Sequence, residues 1–360
     1  MAVKPKVLVF GISRNLGGTE VVVSRFIGQL SDQFQFDTFA TPMPLQPEYV
    51  AGDNRVILMP MRRQRPLAHV RQMRQYFKDH AHEYAAVWYN VNNFSNLGFL
   101  QLAAQHGIPV RLCHFHNSDY IGNKLNRMLS GKNKAKVPGL ATSLLACSNE
   151  AGTFAYGNAP FSVVNNAFHL GEFAFDAAAR QAVRAQLGCE DAFVIGTVGR
   201  LTQQKNHQML IRLMPEILRR RPEAKLVIVG GGALDGALKQ QVADAGLAGS
   251  VVLAGMRSDA AALLSAFDVF AFPSRFEGLG VAAVEAQANG LPCVASEAVP
   301  HLTRVSDSAQ YLPLDNDTAW VDALCAASRE TFAENPALLA KFDLQQEAPK
   351  LAAFLTGERR

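Results

Sequence analysis

Three hundred and sixty residues suffice for two domains of ordinary size, and 49% apolar with 18% charged residues excludes a disordered chain. No apolar run approaches the roughly 18 residues of a membrane-spanning helix, and Met1–Lys6 leads into a strand too short to be a signal-peptide core. The five cysteines lack metal-ligand spacing and read as free thiols in a reducing compartment, so the sequence predicts a cytoplasmic protein, peripheral at most to the inner membrane face. The net charge of +4 hides an asymmetry: residues 1–170 hold 17 Lys+Arg against 9 Asp+Glu, and the remainder 18 against 22. The excess concentrates in Arg62-Arg63-Gln64-Arg65 and in Lys124, Arg127, Lys132, Lys134 and Lys136. Such clusters suit an anionic membrane surface or a phosphate-bearing acceptor, and equally a pair of solvated loops. No reading helix or RNA platform accompanies them, so nucleic acid is not an expected partner.

In chain order, short β-rich runs alternate with longer helical ones. Strands are predicted at Lys6–Phe10, Phe36–Ala40, Val56–Met59, Ala86–Tyr89, Val110–Cys113, Ser143–Ala146 and Ser162–Val164. The alternation restarts with Phe193–Val198, Lys225–Val229, Val251–Leu253, Val269–Phe272, Pro292–Ala295 and Gln310–Leu312. Glu20–Leu30, Leu67–His80, Gln208–Arg220, Gly236–Ala245 and Asp259–Phe267 have helical composition and spacing. This pattern predicts an α/β protein with two doubly wound, Rossmann-like domains, residues 1–170 and 171–336. Residues 337–360 read as amphipathic helices returning to the first domain, and Asn165–Asp191 as the linker.

In doubly wound sheets, ligands bind at the loops that follow the strands. The first such loop, Gly11 to Glu20, carries Gly17-Gly18 ahead of a helix. It has neither the P-loop nor the G-x-G-x-x-G pattern, and a plain tight turn is an equal reading. His114-Phe115-His116-Asn117 follows the strand Val110–Cys113. Without a third ligand at useful spacing, a histidine bonding to substrate or a structural histidine is favoured over metal. Gly199-Arg200-Leu201-Thr202-Gln203-Gln204-Lys205-Asn206 places an arginine and a lysine where both can meet one diphosphate, the alternative being two solvated cations.

Ser274 to Glu285 follows an apolar strand and contains Glu277, the turn Gly278-Leu279-Gly280, and Glu285 within the helical run Val281–Asn289. Eight helical residues would separate the glutamates by roughly 12 Å. That is wider than the pair of about 5 to 9.5 Å that flanks one glycosidic bond in hydrolases. The segment suits the two ends of an extended ligand, with an anion over the backbone N–H groups. Asp315-Asn316-Asp317 could imitate an Asp-x-Asp metal site but reads by default as a helix cap.

Together, Gly17-Gly18-Thr19-Glu20, Gly199-Arg200 with Lys205-Asn206, and Glu277-Gly278-Leu279-Gly280 with Glu285 resemble the retaining glycosyltransferases of the GT-B fold, family four. Val164-Asn165-Asn166, Val229-Gly230-Gly231-Gly232, Gly255-Met256-Arg257 and Gly290-Leu291-Pro292 add to the likeness. Residues 297–308 lack a glycine-rich segment and look more like the capsular and exopolysaccharide subgroup. The resemblance implies that Arg200 and Lys205 grip the donor diphosphate, Glu277 and His116 face the donor sugar, and Glu285 accepts from the ribose. It assigns Gly278, Leu279 and Gly280 to backbone contacts, Gly17 and Gly18 to close approach, and Met256 and Arg257 to the nucleobase. It implies a nucleotide-sugar donor, UDP favoured, a hexose moved to a glycan or lipid-linked acceptor, and no metal or other cofactor. A nucleotide-sugar epimerase or a non-catalytic binding module of the same fold are the alternatives.

Overall fold

The computed structural model describes residues 3–12, 18–40, 47–62, 64–119, 124–329 and 335–359. The chain forms two compact units, Met1–Phe168 with Lys341–Arg360, and His169–Ala340. The first holds seven parallel strands: β1 (Lys6–Phe10), β2 (Gln35–Ala40), β3 (Arg55–Leu58), β4 (Tyr84–Val91), β5 (Val110–Phe115), β6 (Ser143–Ala146) and β7 (Ser162–Val163). Their order is β3-β2-β1-β4-β5-β6-β7. Val7, Leu8, Val9, Ala86, Val87 and Trp88 are fully buried, because helices cover both faces of a parallel sheet and its central strands become continuous apolar runs.

β4 and β5 run further than their apolar composition predicted. Asn90 pairs in register with His114, and Val91 with Phe115, so the parallel ladder continues through polar residues. His114 is thus a strand residue, and His116 is the first candidate beyond it.

The C-terminal helix Leu344–Leu355 belongs to this first unit. Its Glu347 is fully buried and accepts hydrogen bonds from the Asn165 backbone N–H at 2.9 Å and the Asn165 carboxamide at 3.3 Å. A buried carboxylate requires such donors, and they anchor the Asn165-Asn166 turn to the helix.

The second unit has six parallel strands: β8 (Phe193–Val198), β9 (Ala224–Val229), β10 (Val251–Gly255), β11 (Val269–Phe272), β12 (Cys293–Ser296) and β13 (Gln310–Leu312). They lie in the order β10-β9-β8-β11-β12-β13. Ile211, Met214, Leu226, Ile228 and Trp320 fill part of its core. The segment read as a linker begins this unit with real structure. Asp176 accepts from the N–H groups of Ala178 and Ala179 to cap the helix Ala177–Leu187, and Gly188 ends it at φ 60°.

Candidate functional site

In the second unit the chain winds from β8 outward to β10, then crosses back to β11 and winds the other way. Successive crossovers therefore part between β8 and β11, which opens a crevice at the C-terminal ends of these strands. The loop after β8 and the loop after β11 meet there. Lys205 Nζ donates to Glu277 Oε1 at 2.6 Å, with the side chains only 15% and 8% exposed. The ammonium also lies 4.8 Å from the Phe272 ring centroid. Gln204 ties the same loops twice, its carbonyl accepting from Arg275 N–H at 2.8 Å and its amide donating to the Phe276 carbonyl at 2.9 Å.

Glycines set the neighbouring loops against this pair. Gly230 has φ +145°, and a Cβ there would lie 2.0 Å from the Gly199 carbonyl oxygen. At Gly232 a Cβ would come within 2.5 Å of the Leu201 carbonyl oxygen. Loop 230–232 therefore presses directly on the backbone that carries Arg200, which side chains would prevent. Asn206 takes the left-handed conformation at φ 55° and starts the helix His207–Arg220. Asparagine is among the few residues other than glycine that visit this region readily.

Arg200 is exposed, and among the described residues no carboxylate forms an ion pair with it. Gly280, at φ +91°, precedes the helix Val281–Ala288, and Glu285 lies half-buried in that helix. Gly278, Leu279 and Gly280 are all buried. Met256 is 76% exposed just past β10. Arg257 makes a bidentate pair with Asp259 at 2.8 and 2.6 Å, which holds the carboxyl below its ordinary pKa. Asn316, from the late acidic turn, caps a helix by accepting from Ala319 N–H.

His207, absent from the sequence-based site, is buried directly after the lysine loop. Burial and then the charge of Lys205 push its pKa down to about 4. Its Nδ1 has no hydrogen-bond partner among the described residues, nor do the buried hydroxyls of Thr202 and Ser274 in the two meeting loops. The sequence reading placed Thr202, Gln204, Phe272 and Ser274 in or beside the candidate loops but gave them, like His207, no role, because nothing in their local pattern says which loops will touch.

In the first unit the corresponding parting of the sheet lies between β1 and β4. Gly11 follows β1 at φ +106°, and a Cβ there would sit 1.7 Å from the Asn90 carbonyl oxygen. His116 is 6% exposed, with Nε2 2.9 Å from Asn90 Oδ1 and Nδ1 3.2 Å from Asn166 Oδ1. Burial lowers its pKa to about 4, so the ring is neutral and can donate from one nitrogen only. One carboxamide therefore presents its NH2 to the other nitrogen. The His114 ring stands 4.1 Å from that of His116, centroid to centroid. No group of three or more metal-ligating side chains occurs among the described residues. Gly18 opens the helix Gly18–Leu30 and is exposed; Gly17 lies outside the described residues.

The family model for Glycosyl transferases group 1 matches residues 192–330, the stretch that carries the Lys205–Glu277 pair. "Putative glycosyltransferase EpsF" of Bacillus subtilis (strain 168) is 30% identical over 94% of this chain and 92% of its own length. The chain belongs to this glycosyltransferase family. A GDP-mannose-dependent phosphatidylinositol monomannoside mannosyltransferase of Mycolicibacterium smegmatis is 35% identical over 45% of this chain and 44% of its own. In fold, this glycosyltransferase is similar to HepE of Anabaena, crystallised with UDP and glucose. The two superpose with a TM-score of 0.78 at 21% identity, covering 98% of this chain and 100% of that one. The architecture is GT-B, and the protein is an enzyme.

Proposed function

We propose that the enzyme transfers a hexose from a UDP-sugar, with retention, to a glycan or lipid-linked saccharide in bacterial surface polysaccharide synthesis. The observation that carries this reading is the Lys205–Glu277 ion pair at the β8/β11 crevice, beside the exposed Arg200. Glu277 fixes the ammonium in place, so Lys205 meets a diphosphate without first losing side-chain freedom. Arg200 adds an uncompensated charge in the same loop. As the bond from the anomeric carbon to the phosphate oxygen breaks, both cations stabilise the growing negative charge. The acceptor hydroxyl attacks from the same face and passes its proton to the departing phosphate. Glu285 receives the ribose hydroxyls, Gly278 to Gly280 offer backbone N–H groups, and Met256 and Arg257 flank the base. His116, held neutral, bonds to a sugar hydroxyl once the carboxamide of Asn90 or Asn166 gives up one ring nitrogen, while Gly17 and Gly18 give room to the phosphates. No divalent metal is needed in this reading.

Peripheral contact with an anionic membrane is part of the proposal. The helix Lys124–Lys134 buries none of its residues, and exposes Leu125 and Met128 beside Lys124, Lys132 and Lys134. Apolar contact plus cations suits an interfacial helix. Among the described residues no helix is long and apolar enough to cross a membrane.

The test is a melting-point screen with UDP-, GDP- and ADP-sugars, followed by release of UDP in EDTA with and without acceptor. A rise with UDP-sugars that disappears in Lys205→Met is expected, since a ligand of the folded state stabilises it by mass action. No shift with any nucleotide sugar would overturn the donor assignment.

A further inference from the structure

A groove in the first unit shares no residue with the loops assigned to the donor, and of its lining only Arg62 belongs to the basic clusters noted in the sequence. It encloses about 530 Å³ between the helices Pro66–His80 and Gly98–Gln105. That volume falls within the range that holds small organic ligands. The chemistry of its two walls differs. One wall carries Arg62, Arg74 and Lys78, and the other Asn96, Gln101 and Gln105. No carboxylate lines it, and among the described residues none pairs with Arg62, Arg74 or Lys78. Acidic residues nearby are occupied elsewhere: Asp79 accepts from Gln75, and Glu83 from Lys6 and His80. Arg74 and Lys78 are one helical turn apart, so their charges can reach one anionic group or two adjacent ones.

His69 lines the same groove and is only 6% exposed. Its Nδ1 lies 2.9 Å from the Pro60 carbonyl, which can only accept, so Nδ1 holds the proton. In the neutral ring Nε2 is then a buried lone pair, and it has no partner among the described residues. What that nitrogen lacks is a donor such as a hydroxyl, and a sugar offers several beside its anionic group, whereas inorganic phosphate has only the P–OH of the same ion that the cations must hold. Carboxamides likewise satisfy hydroxyls in both directions.

We propose that this groove binds a negatively charged saccharide: Arg62, Arg74 and Lys78 take its anionic groups, and His69, Asn96, Gln101 and Gln105 its hydroxyls. The acidic group can be a carboxylate or a sugar phosphate, because guanidinium forks match both. The site shares no residue with the donor loops and does not rest on the donor assignment.

Titration calorimetry on the full chain, without nucleotide, tests this with tetragalacturonate, glucose 6-phosphate, neutral maltotetraose and inorganic phosphate. Binding of at least one acidic sugar is expected, weakened at least tenfold in the double variant Arg74→Gln/Lys78→Gln and by added salt. Gln101→Ala should weaken the acidic sugar without changing affinity for inorganic phosphate. All these side chains are exposed, so melting points should stay within a degree or two of the parent. Equal binding of maltotetraose, undiminished binding in the double variant, phosphate binding as tightly as either acidic sugar, or no binding of any probe would each overturn the proposal. Because no donor is present, a failed donor screen leaves this result interpretable, and the reverse holds as well.

Discussion

The two single losses of the Lys205–Glu277 pair should sum to at least twice the loss from removing both residues together. At 2.6 Å the charges attract by roughly 6 kcal/mol for an effective dielectric constant of about 20. Desolvation cancels much of this, because the side chains are only 15% and 8% exposed. Removing one partner deprives the other of its main counter-charge, for which about 3–5 kcal/mol is typical. In Glu277→Gln the ammonium keeps its contact with the Phe272 ring, worth about 1 kcal/mol, and a carboxamide oxygen to bond. We therefore expect about 3 kcal/mol for Glu277→Gln and about 3 kcal/mol for Lys205→Met. The double variant should lose about 2–3 kcal/mol, giving a coupling of about 3–4 kcal/mol.

Urea unfolding followed by tryptophan fluorescence can read this unit by itself. The chain has two tryptophans, and a Trp88→Phe background leaves the buried Trp320 as reporter of the second unit. Additive single losses, with coupling below about 0.5 kcal/mol, would refute the reasoning that the pair acts as one desolvated unit.

Gly230→Ala should lower stability by about 3 kcal/mol or more, since its Cβ meets the Gly199 carbonyl oxygen at 2.0 Å and φ is +145°. Gly18→Ala, with nothing within 4 Å of its Cβ, should leave the melting point nearly unchanged in the same scan. His116 and His207, each with a pKa lowered to about 4, make stability pH-dependent. Below about pH 6.5 the unfolded chain binds protons that the folded one refuses. Stability is therefore full above about pH 6.5 and lost as pH falls toward 4, by up to about 3 kcal/mol per ring. His207→Gln should flatten that slope in urea titrations from pH 7 to 4. Arg200→Gln should weaken UDP-sugar binding about tenfold in calorimetry while leaving the melting point within a degree or two, because the side chain is exposed and makes no ion pair among the described residues.

Much of the fold was legible in the sequence for a simple reason. Strands such as Phe193–Val198 and Val269–Phe272 are covered on both faces, so each shows as an unbroken apolar run between polar helices. The loops after β8 and β11 also announced themselves, through Arg200, Lys205, Glu277 and the Gly278–Gly280 turn at strand ends. Four of the five predicted helices were misplaced by one residue at an end, as at Asp235–Asp244, because local capping fixes helix ends weakly.

Strand order was not legible. It depends on which way each crossover turns, a matter of packing between distant helices and the sheet. That order makes β8 a neighbour of β11 and so brings Lys205 to 2.6 Å from Glu277, across 72 positions of chain. It also sets Asn90 beside His116, and continues β5 through His114 where composition had ended the strand. Sequence alone determined which loops hold charge and flexible backbone. Only the tertiary structure decided which of those charges meet, because pairing needs distance and burial, and both come from the order of the strands.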